Sequence, residues 1–129
     1  MELDEGLPKS QRLHRKRDID SLFEEGKGFN AYPFRVIVRP HQAEGQEDAV
    51  PRILVSVSKK RFHHAVKRNR VKRLIRESWR RNKQDIMKTC GRRNITLDVA
   101  FVYTATCILT YDEIAAKMSG IARRLEGRL

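Results

Sequence analysis

The sequence is short of cysteine, of acid relative to base, and of long apolar runs. Only Cys90 and Cys107 occur in 129 residues, far apart and in no CxxC or Cys/His cluster. That excludes a secreted disulfide scaffold and a thiolate metal site, and both cysteines read as reduced thiols in a cytosolic chain. No apolar stretch approaches the ~20 residues that span a bilayer, so no membrane partner is expected. The opening Met1-Glu2-Leu3-Asp4-Glu5 is acidic and lacks the apolar centre of a signal peptide, which leaves the cytoplasm as the expected location. There is no internal repeat, low-complexity linker, Gly-rich phosphate loop or nucleophile–base pairing.

What is present is positive charge. Lysine and arginine number 28 against 16 acidic residues, giving a formal charge of +12 and a pI near 10.3. Two readings follow from composition: a polyanion partner, whose counterions clustered cations would release, or a merely soluble basic protein. With 40% hydrophobic residues the chain is too apolar for a disordered basic arm. Its length suits one domain over residues 1–129 with a real core. Residues 1–12 read as a tail, flexible over 1–8, that turns basic at Lys9 and Arg12.

Periodicity orders the rest. Ile19, Leu22 and Phe23 at i, i+3, i+4 predict a helix over Lys16 to Glu25, with Gly26 as its left-handed cap. Gly28 and Pro33 bracket a turn. Tyr32 to Arg39 alternates, with Phe34, Val36 and Val38 on one face and Arg35, Ile37 and Arg39 on the other. A polar loop over His41 to Pro51 joins it to a second, antiparallel strand, Arg52 to Ser58. From His63 to Lys88 the period is helical, with Val71, Leu74, Ile75, Ser78, Trp79, Asn82 and Ile86 on a stripe ended by Thr89-Cys90-Gly91. Ile95 to Tyr103 is a strand again. Thr110 and Glu113 form a capping box, with Leu109 and Ile114 placed as a hydrophobic staple, and open a final helix. The expected fold is a small two-layer α/β (α+β) sandwich of one mixed sheet against helices, in an αβββαβα-like order.

The informative segment is Lys59 to Lys83. Arg68, Lys72, Arg76 and Arg80 step by four onto one helix face, flanked by Arg70, Arg73 and Arg81, and Glu77 is the one acid within reach. Solvated faces ordinarily mix both signs, so a face that tolerates this repulsion is read as one that neutralises phosphates. Asn69 can hydrogen-bond RNA or cap the helix locally. Trp79, beside Ile75, is better placed for core packing than for stacking on a base.

The run Lys67-Arg68-Asn69-Arg70-Val71-Lys72-Arg73-Leu74-Ile75-Arg76-Glu77-Ser78 closely resembles the RNR signature of the bacterial ribonuclease P protein component family. Ser56-Val57-Ser58-Lys59-Lys60 before it, Ala65 at the helix entry, and the early Arg12-Leu13 and Asp18-Ile19-Asp20-Ser21-Leu22-Phe23 agree with that family. The resemblance covers about residues 7–125. It implies a left-handed βαβ crossover, against the usual preference. It also implies a subunit that assists a catalytic RNA in cleaving the 5′ leader from precursor tRNA, with Mg²⁺ held largely by the RNA and no further protein partner required.

Carried onto this chain, the resemblance assigns catalytic-RNA contacts to Arg68, Asn69, Arg70, Lys72, Arg73 and Arg76. A cleft for the single-stranded leader would involve Arg12, Ile19, Phe23, Phe34, Ile37, Lys59 and Lys60. Ile19 and Ile37 stand where aromatic residues are common in the family, which makes the cleft more purely apolar than usual. Phe23 keeps one aromatic, as a base platform or as plain core. The stretch Arg61-Phe62-His63-His64 varies in the family.

No protein catalytic site or metal site is expected. Asp18, Asp20, Glu24 and Glu25 are better read as a solvated helix face, and the adjacent His63-His64 cannot share one helix face for a metal. Rival readings are a general, ribosomal-type RNA-binding protein, a DNA-binding module with the arginine helix in a groove, and a stand-alone metal-dependent nuclease. Each is separable by what it binds and whether the protein cleaves alone.

Overall fold

A computed structural model describes residues 7–129; the acidic opening Met1–Glu5 and the first part of the expected tail lie outside them. The elements are α1 (Lys16–Glu25), β1 (Lys27–Ala31), β2 (Phe34–Gln42), β3 (Pro51–Val57), α2 (Ala65–Asn82), α3 (Gln84–Arg93), β4 (Ile95–Tyr103) and α4 (Tyr111–Glu126). One mixed sheet runs β1-β2-β4-β3, antiparallel except for the parallel pair β3 and β4. The last strand made in sequence therefore lies between the two before it, and α2 with α3 forms the crossover of a βαβ unit.

Alternation decides the faces, because successive strand side chains point to opposite sides. Phe34, Val36 and Val38 of β2, Ile53, Val55 and Val57 of β3, and Leu97, Val99, Phe101 and Tyr103 of β4 are buried on the inner face. They pack in one cluster with Val71, Ile75 and Trp79 of α2, Ile86 and Cys90 of α3, and Ile114, Met118, Ile121 and Leu125 of α4. Trp79 lies 5.5 Å from the Phe101 ring, so it is core. On the other face α1 makes a second, smaller cluster, in which Leu22 and Leu13 bury Ala100 with Ile19, Ile37 and Leu54 at the margin.

Four expectations change. The expected tail is ordered over its described part: Leu7 is 2% exposed in the inner core, Lys9–Gln11 is a single 3-10 turn, and Leu13 N–H donates to Ile53 O at 2.8 Å. With Leu7 in one cluster and Leu13 in the other, this segment wraps over the edge strand β3 and links the two layers. Lys83 Nζ, buried after α2, donates to Gln11 Oε1 at 2.6 Å and holds the strap in place. Burial, with the charge of Arg80, lowers the Lys83 ammonium below the ordinary lysine value.

Second, the stretch between Gly28 and Pro33 is mostly the strand β1, hairpinned to β2 through Tyr32-Pro33; the only apolar side chains it turns inward, Phe29 and the small Ala31, left no visible alternation. Third, the helix expected to end at Thr89-Cys90-Gly91 breaks at Lys83 and resumes as α3, which runs to Arg93. The left-handed cap is Asn94 at φ 55°, whose N–H returns to Cys90 O. Fourth, Gly26 is extended, not left-handed. Glycine is required there by close approach, since a Cβ would sit 2.4 Å from Leu22 O and 2.9 Å from Ile37 Cγ2. The loop after β2 starts at residue 43, and the strands it joins run antiparallel but are separated by β4. The capping box of α4 forms as the sequence suggests, with Thr110 Oγ1 accepting from Glu113 N–H and Glu113 Oε1 from Thr110 N–H.

Candidate nucleic-acid interface

The outer face of the sheet is organised in cross-strand rows. Arg39, Asp98 and Arg52 form one row, Gly28, Ile37, Ala100 and Leu54 the next, and Asn30, Arg35, Val102 and Ser56 the third. Helix α1 crosses the strands over the first two. Asp18 near its start reaches Arg52 on β3 at 3.4 Å, and Glu25 at its end pairs with Arg39 on β2 at 3.1 Å.

Beneath α1, Asp98 is fully buried. Arg52 grips it with Nε–Oδ1 2.7 Å and Nη2–Oδ2 2.9 Å, and His41 Nε2 lies 2.9 Å from Oδ2. Burial alone would raise this carboxyl, but the hydrogen bonds and charges of His41 and Arg52 hold it below the ordinary carboxylate range. The network is a structural rivet that fastens α1 and β3 to the central strand.

The third row is not covered by α1. Arg35 and Ser56 are exposed and Val102 is half-buried. Ile19 and Phe23, four apart on one helix face, border this groove, Ile19 half-buried and Phe23 47% exposed. Ile37 lies at its floor. Lys59 and Lys60, exposed in the turn after β3, stand at its mouth, where Lys60 N–H donates to Ser58 Oγ. The Arg35 guanidinium packs against Gly28 and is held by Asn30, Nη1–Oδ1 3.1 Å.

Two residues expected in this groove are elsewhere. Phe34 is 1% exposed in the inner core, its ring edge-on to Phe101 at 5.8 Å. Residues three apart on a strand face opposite sides, so Phe34 and Ile37 cannot line one groove. Arg12 lies on the other flank of α1, in a polar pocket with Lys9, Arg15, Asp18, His41 and Arg52. The groove residues that motif reading missed are Arg35, Leu54, Ser56 and Val102. Their signal was the strand face opposite the apolar one.

The groove's mouth leads within eight residues of Val57 to the start of α2. Lys67, Asn69, Arg70 and Arg73 are exposed there and Lys72 is half-buried; none of the four cations among them forms an ion pair among the described residues. Asn69, at the fifth position of the helix, is past the cap at His64, which removes its capping role. Arg68 is different: its Nη1 donates to Phe62 O and His63 O, both at 2.8 Å, and so fastens the loop to the helix. Arg80 and Arg81 share Glu77, at 2.7 and 3.0 Å. Hydrogen bonding from Arg80, foremost, keeps the Glu77 carboxyl below its usual value. The free cations are thus gathered at the N-terminal half of α2, beside the groove.

The α1 carboxylates do not converge. Asp18 serves Arg52, Asp20 pairs with Lys16 at 2.8 Å and Glu25 with Arg39. Among the described residues no three His, Cys, Asp or Glu side chains are grouped to hold a metal, and no helix is long and apolar enough to cross a membrane.

A family model described as Ribonuclease P matches residues 7–126. A ribonuclease P protein component of Porphyromonas gingivalis is 39% identical over 127 residues, covering 96% of this chain and 89% of the relative. One from Chlorobium phaeobacteroides is 35% identical over 104 residues, covering 75% and 70%. Among solved structures, the RNase P protein from Thermotoga maritima, in complex with 1-(4-fluorophenyl)-2-thiourea, superposes with a TM-score of 0.66 at 25% identity, covering 88% of this chain and 98% of that one. A Staphylococcus aureus RNase P protein mutant shares the fold with a TM-score of 0.68 at 23% identity, covering 90% and 88%.

Proposed function

The chain belongs to the ribonuclease P protein family, and from that premise we propose that it guides precursor tRNA to an RNA active site by holding the substrate's 5′ leader in the groove beside α1. It is a protein component of ribonuclease P, part of an endoribonuclease, and associates with that enzyme's RNA. The finer reading has three parts. Lys67, Asn69, Arg70, Lys72 and Arg73 meet the catalytic RNA. Ile19, Phe23, Arg35, Ile37, Val102 and Ser56 take the single-stranded leader, and Lys59 and Lys60 bridge the two. Bond cleavage belongs to the RNA, in the cytoplasm.

The observation that carries this reading is the juxtaposition of unpaired cations on α2 with an open, half-apolar groove at its foot. Phosphates satisfy the first, and a splayed single strand with its bases against apolar side chains satisfies the second. The aromatic content is low, with Phe23 at the rim, and the flat Arg35 guanidinium supplies a second planar surface for stacking. The Mg²⁺ that cleavage requires is assigned to the RNA. The chain's contribution is positional: it fixes the leader so that the scissile phosphate meets groups the RNA supplies.

The test is precursor-tRNA 5′ cleavage at low Mg²⁺ by catalytic RNA with and without this protein, beside a protein-only control. Stimulation confined to the combined reaction supports the assignment. Cleavage by protein alone, or no stimulation when RNA is bound, defeats it.

A further inference from the structure

The C-terminal end of α4 carries charge that neither α2 nor the groove uses. Arg124 lies over the Phe29 ring of β1 with its guanidinium carbon 3.8 Å from the centroid, and Arg128 approaches the same ring at 5.0 Å. One guanidinium on a ring face is a favourable cation–π contact. A second, four residues along, adds like-charge repulsion. Neither arginine forms an ion pair among the described residues. Beside them opens a recess of about 700 Å³ lined by Lys27, Arg39, Arg128, Glu25, Val38 and Pro40. Its one carboxylate, Glu25, is engaged by Arg39.

A helix C-terminus attracts cations, which accounts for Arg124 in the last turn of α4 and Arg128 just beyond it. It does not account for Lys27 on β1 and Arg39 on β2 converging on the same recess. Cations from three elements thus surround a concave surface with one neutralised acid. The two guanidiniums are stiffened by the ring beneath them, which leaves their N–H edges for planar recognition of phosphate oxygens.

We propose that Lys27, Arg124 and Arg128 form a second phosphodiester-binding site at the β1 edge, filled by the backbone of the ribonuclease P RNA. Helix α2 packs over β3, at the other edge of the sheet. Three strand spacings, roughly 14 Å, therefore separate the two basic surfaces. The recess also lies toward the Lys27 and Pro40 ends of β1 and β2, away from the groove row that includes Asn30 and Arg35. A leader in the groove does not reach it, whereas a folded RNA can present two backbone segments across that width. The protein then pins two segments of its RNA rather than one. This rests on the chain's assembly with that RNA.

The experiment uses the full chain and the ribonuclease P RNA without substrate, with affinity measured between about 50 and 200 mM salt. Arg124→Gln/Arg128→Gln should reduce the slope of log affinity against log salt by about 1.8, two phosphate contacts' worth, with thermal unfolding followed in parallel. Arg124→Lys/Arg128→Lys should keep most of the slope. Should the glutamine pair unfold the protein, Lys27→Gln on the exposed strand start reads the same site, with an expected loss of about 0.9. Full slope and affinity in Lys27→Gln and in a folded glutamine pair overturn the proposal, including the case where only precursor-tRNA binding suffers. Wild-type protein that fails to bind this RNA overturns the assembly reading itself, a separate outcome.

Discussion

Asp98 shows how much one residue holds. A carboxylate with no exposure inside the apolar strand Ile95–Tyr103 survives because Arg52 and His41 satisfy it. Its carboxyl is depressed in the folded state, so the unfolded chain takes up the proton first as pH falls. The stability it contributes is complete above the unfolded value of about 3.9 and disappears as pH drops through the lower folded value. Asp98→Asn should therefore lower stability at neutral pH, toward the lower end of the roughly 3–5 kcal/mol seen when one partner of a buried pair is removed, because Arg52 keeps Asp18. Thermal melts from pH 7 to pH 3 are the check: the variant's acid-induced loss should be shallower, and parallel curves would refute the linkage. The aspartate in ITLDVAFVY was visible in the sequence, but its partners lie 46 and 57 residues away. Such a pairing has no local signature.

At the level of elements, α2 divides into residues that fold and residues that face outward. Arg68→Ala removes the donor to two backbone carbonyls and should destabilise by about 1–3 kcal/mol as those groups lose their partner. Arg70→Ala/Arg73→Ala should leave the melting temperature unchanged and weaken RNA binding. A double variant that loses both together would place these side chains in the fold. The strap over β3 is the other element with a measurable role: Leu7→Ala should cost about 2–5 kcal/mol in denaturant unfolding, although a free tail would cost nothing. The helices, β2, β3 and β4 were legible because each has an apolar face with a clear period. The strand β1 and the strap were not, since each sends only one or two apolar side chains inward. The break at Lys83 was hidden because the stripe from Val71 to Ile86 runs through it without a change of period.

For the whole molecule, affinity for RNA should be dominated by released counterions. About 6–10 phosphate contacts would lower it 10³–10⁵-fold between about 50 and 200 mM salt, measurable by filter binding, and a shallow dependence would exclude a phosphate-led interface. The exposed arginines of the proposed interface were visible in the sequence, because Arg70 and Arg73 lie in one short segment. The groove could be read only in part. Its floor joins three strands and a helix, and the residue wrongly assigned to it, Phe34, failed on strand parity alone. The position of β4 has a consequence for how the chain is made. Synthesis releases β1, β2 and β3 first, yet β2 and β3 meet only through β4. A nascent chain halted before Ile95 carries α2 and its dense positive charge without the sheet that buries Val71, Ile75 and Trp79. Until the ribosome has delivered residue 103, α2 is a cationic segment whose apolar stripe lacks the central strand that completes its packing surface.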